Sequence, residues 1–166
     1  MSLCLERKSI RKYKDRKVDD AIIEKLLMSA MQAPSATNQQ PWKFLVIKNR
    51  EILEKLSTVS KGAWPLKEAP LGIITLIKKD IKREMMAPQD MAACTQNILL
   101  EATHQGLGGV WIGAFPREER IETIKSIVDI KDDATPFSMI ALGYPEEDEN
   151  QSVKLRYDPN RVQVIE

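Results

Sequence analysis

Two short polar segments near the start of the chain carry side chains that could hold a ligand: Arg7-Lys8-Ser9-Ile10-Arg11, and Pro34-Ser35-Ala36-Thr37-Asn38-Gln39-Gln40-Pro41-Trp42. If the first is extended, alternate side chains share a face, so Arg7, Ser9 and Arg11 point the same way. Two forked, charged guanidiniums with a hydroxyl between them suit a phosphate monoester better than a lone lysine does. The competing reading is a solvated basic turn, and the segment alone does not decide between the two. The second segment packs prolines, hydroxyls and side-chain amides at a density that a connector does not require. That composition suits a loop binding a flat polar ring, although Asn and Ser are also ordinary turn formers.

The chain must supply a core and elements to position these segments. Its 166 residues fit one domain, residues 1–166, long enough to bury a core without staples. Hydrophobic residues at 43% and charged residues at 30% argue against a disordered chain. A net charge of +1 removes the electrostatic case for nucleic acid, which demands a basic excess. No apolar run reaches the length of a membrane span and the first residues lack a signal-peptide core, so the expectation is a cytoplasmic protein with no membrane partner. Cys4 and Cys94 are widely separated, flanked by no metal-ligand spacing, and His104 is the sole histidine, so no metal site is expected and both thiols read as reduced and structural.

Hydrophobic spacing predicts the elements. A helix opening at Asp19 or Asp20 carries Ile22, Ile23, Leu26, Leu27 and Ala30 on one face and ends before Pro34. Phe44 to Ile47 reads as a buried strand, followed by a helix through Ile52, Leu53 and Leu56, then a loop from Ser57 to Pro70. Leu71 to Ile77 is a second apolar strand. A long core helix follows from near Ala87, with Met91, Cys94, Thr95, Ile98, Leu99 and Ala102 on its stripe and Gly106 as a left-handed stop. Val110 to Ile112 is a short strand, Arg117 to Val128 an amphipathic helix, Asp132 to Pro136 a turn, and Phe137 to Gly143 a strand. Glu146 to Asn150 reads as an acidic surface loop, and the alternating Val162 to Ile165 as a strand in want of a sheet edge, which a partner subunit would offer.

With both polar segments in this order, the chain resembles the FMN-dependent nitroreductases from Arg7 almost to its end. R-K-S-I-R-K-Y resembles the family's flavin-phosphate motif, and A-P-S-A-T-N-Q-Q-P-W-K-F its interface loop. Gln96-Asn97, the G-L-G-G-V-W-I-G stretch from Gly106 to Gly113, Leu142-Gly143-Tyr144-Pro145 and Lys154-Leu155-Arg156 are similar to its later landmarks. The resemblance implies an α+β fold, a mostly antiparallel central sheet flanked by helices, in a homodimer with FMN at the subunit interface and exchanged C-terminal segments. It implies that Arg7, Lys8, Ser9 and Arg11 bind the ribityl phosphate and nearby ring edge, with Lys154 and Arg156 closing on the phosphate. Pro34, Ser35, Ala36 and Asn38 would come from the second subunit, and the backbone at Ile112 and Gly113 would approach the ring.

The implied activity is transfer of hydride from NADH or NADPH, by a ping-pong flavin mechanism, to a nitroaromatic, quinone or related small-molecule acceptor. No catalytic side chain is then required, because the cofactor carries the chemistry. The G-L-G-G stretch lacks dinucleotide-fold spacing and precedes a strand. Two departures stand out. Ala36 occupies a position where many members have serine, so contact there is through backbone or methyl. Only about nine residues join the strand ending at Ile77 to the helix near Ala87, where larger members insert capping helices, so a more open pocket is expected. Alternative readings are a flavin storage or sensing protein with little turnover, and an enzyme of the same fold performing reductive dehalogenation or ring oxidation.

Overall fold

A computed structural model describes residues 2–130, 133–147, 153 and 155–166. In chain order the elements are α1 (Leu3–Glu6), α2 (Asp20–Met31), β1 (Trp42–Ile47), α3 (Arg50–Leu56), β2 (Leu71–Lys78), α4 (Ala87–His104), β3 (Gly108–Gly113), α5 (Glu118–Val128) and β4 (Ala134–Gly143). The strands form one antiparallel sheet in the order β1-β2-β4-β3. The fold is α+β, as the sequence leads one to expect.

β2 and β4 occupy the middle of the sheet, and their near-continuous apolar composition reflects cover on both faces. Leu71, Ile73, Ile140 and Leu142 pack against Leu26 and Ala30 of α2 and Cys94 and Ile98 of α4. Ile74, Leu76, Met139 and Ala141 pack on the other face against Leu53 and Leu56 of α3 and Ile121 and Ile124 of α5. Alternation along each strand thus divides the core into two layers around the sheet. Each fully buried Leu or Ile stabilises this arrangement by about 1.5–3 kcal/mol relative to exposure.

Polar side chains inside this core are satisfied. The Thr75 and Ser138 hydroxyls of β2 and β4 lie 2.8 Å apart. Thr95 of α4 donates to the Met91 carbonyl at 2.8 Å and stands 3.3 Å from Ser138. All three residues are fully buried, and no buried side-chain nitrogen or oxygen among the described residues lacks a partner.

Several elements differ from the sequence reading. α1 precedes the basic segment and was not foreseen, since a single turn carries too little periodicity to be recognised. Within the expected loop from Ser57 to Pro70, Lys61–Lys67 winds as a 3-10 helix that buries Ala63, Pro65 and Leu66. β4 begins at Ala134, so Thr135 and Pro136 belong to the strand and not to the preceding turn. A bulge accommodates the proline: Thr75 pairs with Ser138 and Leu76 with Pro136, leaving Phe137 as the extra residue. Val162 to Ile165 forms no strand within the chain, and Ile165 is 88% exposed. Gly106 takes the expected left-handed conformation after α4, with φ of 74°.

Cys4 is exposed, whereas Cys94 is fully buried in the α4 stripe. Burial lifts the Cys94 thiol from the usual 9.0 to about 12. Between those two values the unfolded chain releases a proton that the folded chain keeps, so stability from this group is whole below pH 9.0 and declines as pH rises. In a Cys4→Ala variant at about pH 8, a thiol reagent should find no reactive sulfur until denaturant is added. Rapid labelling of the folded variant would contradict the burial of Cys94.

Candidate functional site

The basic segment is fastened along the outer edge of β3. Ser9 forms a parallel bridge with Gly109, and the Ile10 N–H donates to the Gly109 carbonyl at 3.1 Å. Ile10 turns inward and is buried over Gly108, where a Cβ would stand 2.5 Å from the Ile10 Cβ, so glycine is needed for this approach. With Ile10 inside, Ser9 and Arg11 are exposed on the opposite side, and Arg7 and Lys8 are half-buried. The Arg11 guanidinium lies 3.5 Å from the Ser9 carbonyl, a weak contact that leaves the fork available.

Tyr13 locks the segment behind this point. Its buried hydroxyl donates to the Ile10 carbonyl at 2.6 Å and lies 3.1 Å from the Ala141 carbonyl. Lys14 N–H donates to the Tyr144 carbonyl at 2.8 Å, and the Arg16 guanidinium sits 3.9 Å above the Tyr144 ring. The Leu142 to Pro145 landmark therefore fixes where the basic segment leaves the sheet.

At the far end of β3, Gly113 is exposed, and a Cβ built there meets no atom within 4 Å. This open space lets a planar ligand lie against the backbone. Ile112 is buried on the α5 side, so its side chain is committed to the core and only its backbone is available. The Gly113 carbonyl accepts from the Arg120 guanidinium at 2.8 Å, which leaves it satisfied from within the chain. Beside it the bulge turns Phe137 toward its aromatic neighbours, with ring centroids 5.9 Å from Trp111 and 6.1 Å from Phe115.

The loop from Pro34 to Trp42 forms a second cluster at the N-terminal end of α4. Thr37, Asn38 and Gln40 have φ of 52°, 55° and 47°, a left-handed conformation disfavoured for side-chain-bearing residues. The restraint is Asp90, in the first turn of α4 and 6% exposed. Its carboxylate accepts the Ala36 N–H at 3.0 Å and the Gln39 amide at 2.7 Å. Ser35 Oγ accepts the Gln40 N–H at 3.1 Å, and Gln40 donates to the Asn38 amide oxygen at 3.0 Å. Ala36 has its N–H committed to Asp90 and its carbonyl to the Thr37 hydroxyl at 2.7 Å and the Gln39 N–H at 3.0 Å, so its methyl is what remains for a ligand.

Thus the segment carrying Arg7, Lys8, Ser9 and Arg11 pairs with β3, the strand that ends in Ile112 and Gly113, while the loop carrying Pro34, Ser35, Ala36 and Asn38 is tied to Asp90 through Ala36. Arg156 is exposed, and Lys154 lies outside the described residues. Asn97 of the long helix donates to the Ser29 carbonyl of α2 at 2.9 Å, a clasp between helices. Asp90, Gln39, Arg120 and Phe137 escape the sequence reading. For Asp90 the signal was an acidic residue on the apolar stripe beside Met91 and Cys94, though an acid in a helix's first turn is also ordinary dipole chemistry. Among the described residues there is no metal-binding cluster of His, Cys, Asp and Glu, and no helix is long and apolar enough to cross a membrane.

A sheet sandwiched by helices, with a basic N-terminal segment paired to its edge strand, defines an α+β protein. The family model described as "Nitroreductase family" matches residues 4–79 and 66–144. A Methanothermobacter thermautotrophicus protein named "Putative NADH dehydrogenase/NAD(P)H nitroreductase" is 42% identical over 159 residues, covering 95% of this chain and 82% of that relative. A Clostridium acetobutylicum structure named "Putative NADH Oxidase" superposes with a TM-score of 0.95 at 48% identity, covering 99% of both chains. An FMN-dependent nitroreductase from Clostridium difficile R20291 superposes at 0.89 with 28% identity, over 98% of this chain and 97% of the other. The chain belongs to the nitroreductase family.

Removing the loop's anchor should be costly. Asp90→Ala leaves the Ala36 N–H and the Gln39 amide without their acceptor, a loss of about 1–3 kcal/mol in chemical denaturation. Asp90→Asn, which keeps one amide oxygen, should recover part of it. Equal stability of Asp90→Ala and the parent would refute the anchoring role.

Proposed function

We propose that the chain, a single domain over residues 1–166, is an FMN-dependent oxidoreductase that takes hydride from NADH or NADPH and passes it to a nitroaromatic, quinone or related small-molecule acceptor in a ping-pong cycle. The observation that carries this reading is the pairing of Ser9 with Gly109, which lays the Arg7, Ser9 and Arg11 donors along the same strand that ends at the open Gly113. The residues fit the cofactor: a forked cationic set for a dianionic phosphate, and unobstructed backbone for a flat ring. Family membership and relatives named for FMN and NAD(P)H support the same cofactor and donor.

FMN, when bound, supplies the two-electron exchange that no side chain here performs. The protein's work is placement and electrostatics. Arg7, Ser9, Arg11, Lys154 and Arg156 hold the phosphate, and the backbone at Ile112 and Gly113 receives the ring. Lys8 or Arg11 at the ring's pyrimidine edge favours negative charge there by proximity.

The Pro34 to Asn38 loop serves the site of a second subunit. Val164 and Ile165, 76% and 88% exposed, extend the apolar surface of a tail suited to exchange between the subunits of a homodimer. A reducing, cytoplasmic setting agrees with two cysteines that are both free.

The test is the visible spectrum of the FMN-reconstituted protein before and after anaerobic NADH or NADPH, beside an Arg11→Ala variant. Bleaching of a bound flavin, with affinity reduced roughly tenfold or more in the variant, is the expected result. A bound flavin that neither dinucleotide reduces would favour storage or sensing, and absence of flavin binding would overturn the assignment. Lys8→Ala should lower the reduction potential of the bound flavin; an unchanged potential with flavin retained would remove Lys8 from the electrostatic role.

A further inference from the structure

The connector between β2 and α4 is short but dense in charge. It contributes Lys79, Lys82 and Arg83, next to Lys78 at the end of β2, against Asp80 and Glu84. Its backbone is held from several sides. Lys78 N–H donates to the Pro41 carbonyl at 2.8 Å and Lys79 N–H to the Asp133 carbonyl at 3.0 Å. Gln39 clamps Arg83 at two points: its amide oxygen accepts the Arg83 N–H at 2.9 Å, and its NH2 donates to the Arg83 carbonyl at 3.1 Å. The same Gln39 NH2 reaches Asp90, so the connector, the ligand loop and the start of α4 are tied together.

This fastening uses backbone groups and leaves the cationic heads available. Lys78, Lys82 and Arg83 make no side-chain hydrogen bond or ion pair among the described residues. They border a cavity of about 530 Å³ whose other wall is Thr37, Asn38 and Gln39, with Asp80 its one carboxylate. A second cavity of about 390 Å³ adjoins it through Lys78, Asp80 and Ile81; Ile77, Pro88 and Phe115 give it an apolar wall, and Lys79, Glu84 and Thr135 also line it. Phe115 lies two residues beyond Gly113, so the apolar compartment runs toward the end of β3. By contrast, the 610 Å³ cavity under Trp42 contains Lys43 already paired with Asp133, which leaves it without an unpaired cation.

We propose that Lys78, Lys82 and Arg83 bind a phosphate group of the reduced dinucleotide donor while the adjoining apolar cavity receives one of its rings. This rests on the reading of the chain as an NAD(P)H oxidoreductase. Three unpaired cations facing one carboxylate favour a dianion over a neutral ligand, and the Arg83 guanidinium supplies a bidentate fork. The phosphate is either the 2′-phosphate that distinguishes NADPH or the pyrophosphate common to both donors. Lys82 and Arg83 therefore determine donor affinity from the connector between β2 and α4.

Lys82→Ala, Arg83→Ala and the double variant test this, because alanine keeps the backbone that Gln39 clamps. Lys55→Ala on α3 is the control for loss of a surface charge. With the FMN-loaded protein, the double variant should raise KM for NADPH about tenfold or more. An unchanged KM for NADH identifies the 2′-phosphate, and an equal rise for both donors identifies the pyrophosphate. Calorimetry with adenosine 2′,5′-bisphosphate and with inorganic pyrophosphate reads the site without turnover, and binding of at least one should be lost in the double variant. KM values for both donors within twofold of the parent would overturn the proposal. So would undiminished binding of both probes in the double variant. A parent protein that neither donor reduces, yet that loses probe binding in the double variant, would instead overturn the oxidoreductase reading and leave the phosphate site standing.

Discussion

The pairing of β2 with β4 is the constraint on which the rest of the molecule depends. Both strands are covered on both faces, so almost every side chain along them must be apolar or hydroxylic, and the Thr75–Ser138–Thr95 set shows how little polarity the middle tolerates. Charged chemistry is thereby confined to the sheet's edge and to the ends of its elements. The site follows from that exclusion: β3, the edge strand beside β4, exposes a line of backbone that can be paired, approached and decorated without disturbing the core.

The N-terminal segment exploits this edge in a short stretch. Ile10 enters the core over Gly108, and alternation then obliges Ser9 and Arg11 to face outward. One buried isoleucine thus orients the polar side chains beside it. Tyr13 closes the arrangement by bonding both to the segment and to β4, which couples the position of the basic cluster to the central pair. At the opposite end of β3 the bulge that admits Pro136 also frees Phe137 to meet Trp111 and Phe115, so an irregularity in the ladder shapes the surroundings of Gly113.

The loop from Pro34 to Trp42 relies on a different device. Its left-handed residues have no intrinsic preference for that conformation, and hydrogen bonds from outside the loop must over-determine it. Asp90 supplies two such bonds from within a helix that is itself packed on the sheet, and Gln39 passes the restraint on to the connector through Arg83. Loop, helix start and connector consequently behave as one unit. In the proposed homodimer this unit would face the cofactor held by the other subunit, with the cations of the connector at its margin.

Much of this was legible in the chain. Periodicities of two and 3.6 located β1, β2, β3, α2, α3, α4 and α5 because they record which local faces are apolar, and alternation foretold that Ser9 and Arg11 are both exposed, whereas Arg7 is half-buried. The motif order carried the family, and Gly106 its helix stop. Sequence could not tell that Pro136 lies inside β4, because a bulge is defined by the partner strand. Nor could it give Asp90 a different meaning from any acid in a helix's first turn. The Asp90 bond that holds the left-handed loop and the paired cavities beside the connector join residues far apart in sequence. Local patterning determines which face of each element is apolar; only packing the elements together decides which polar groups meet, and so where a ligand can be held.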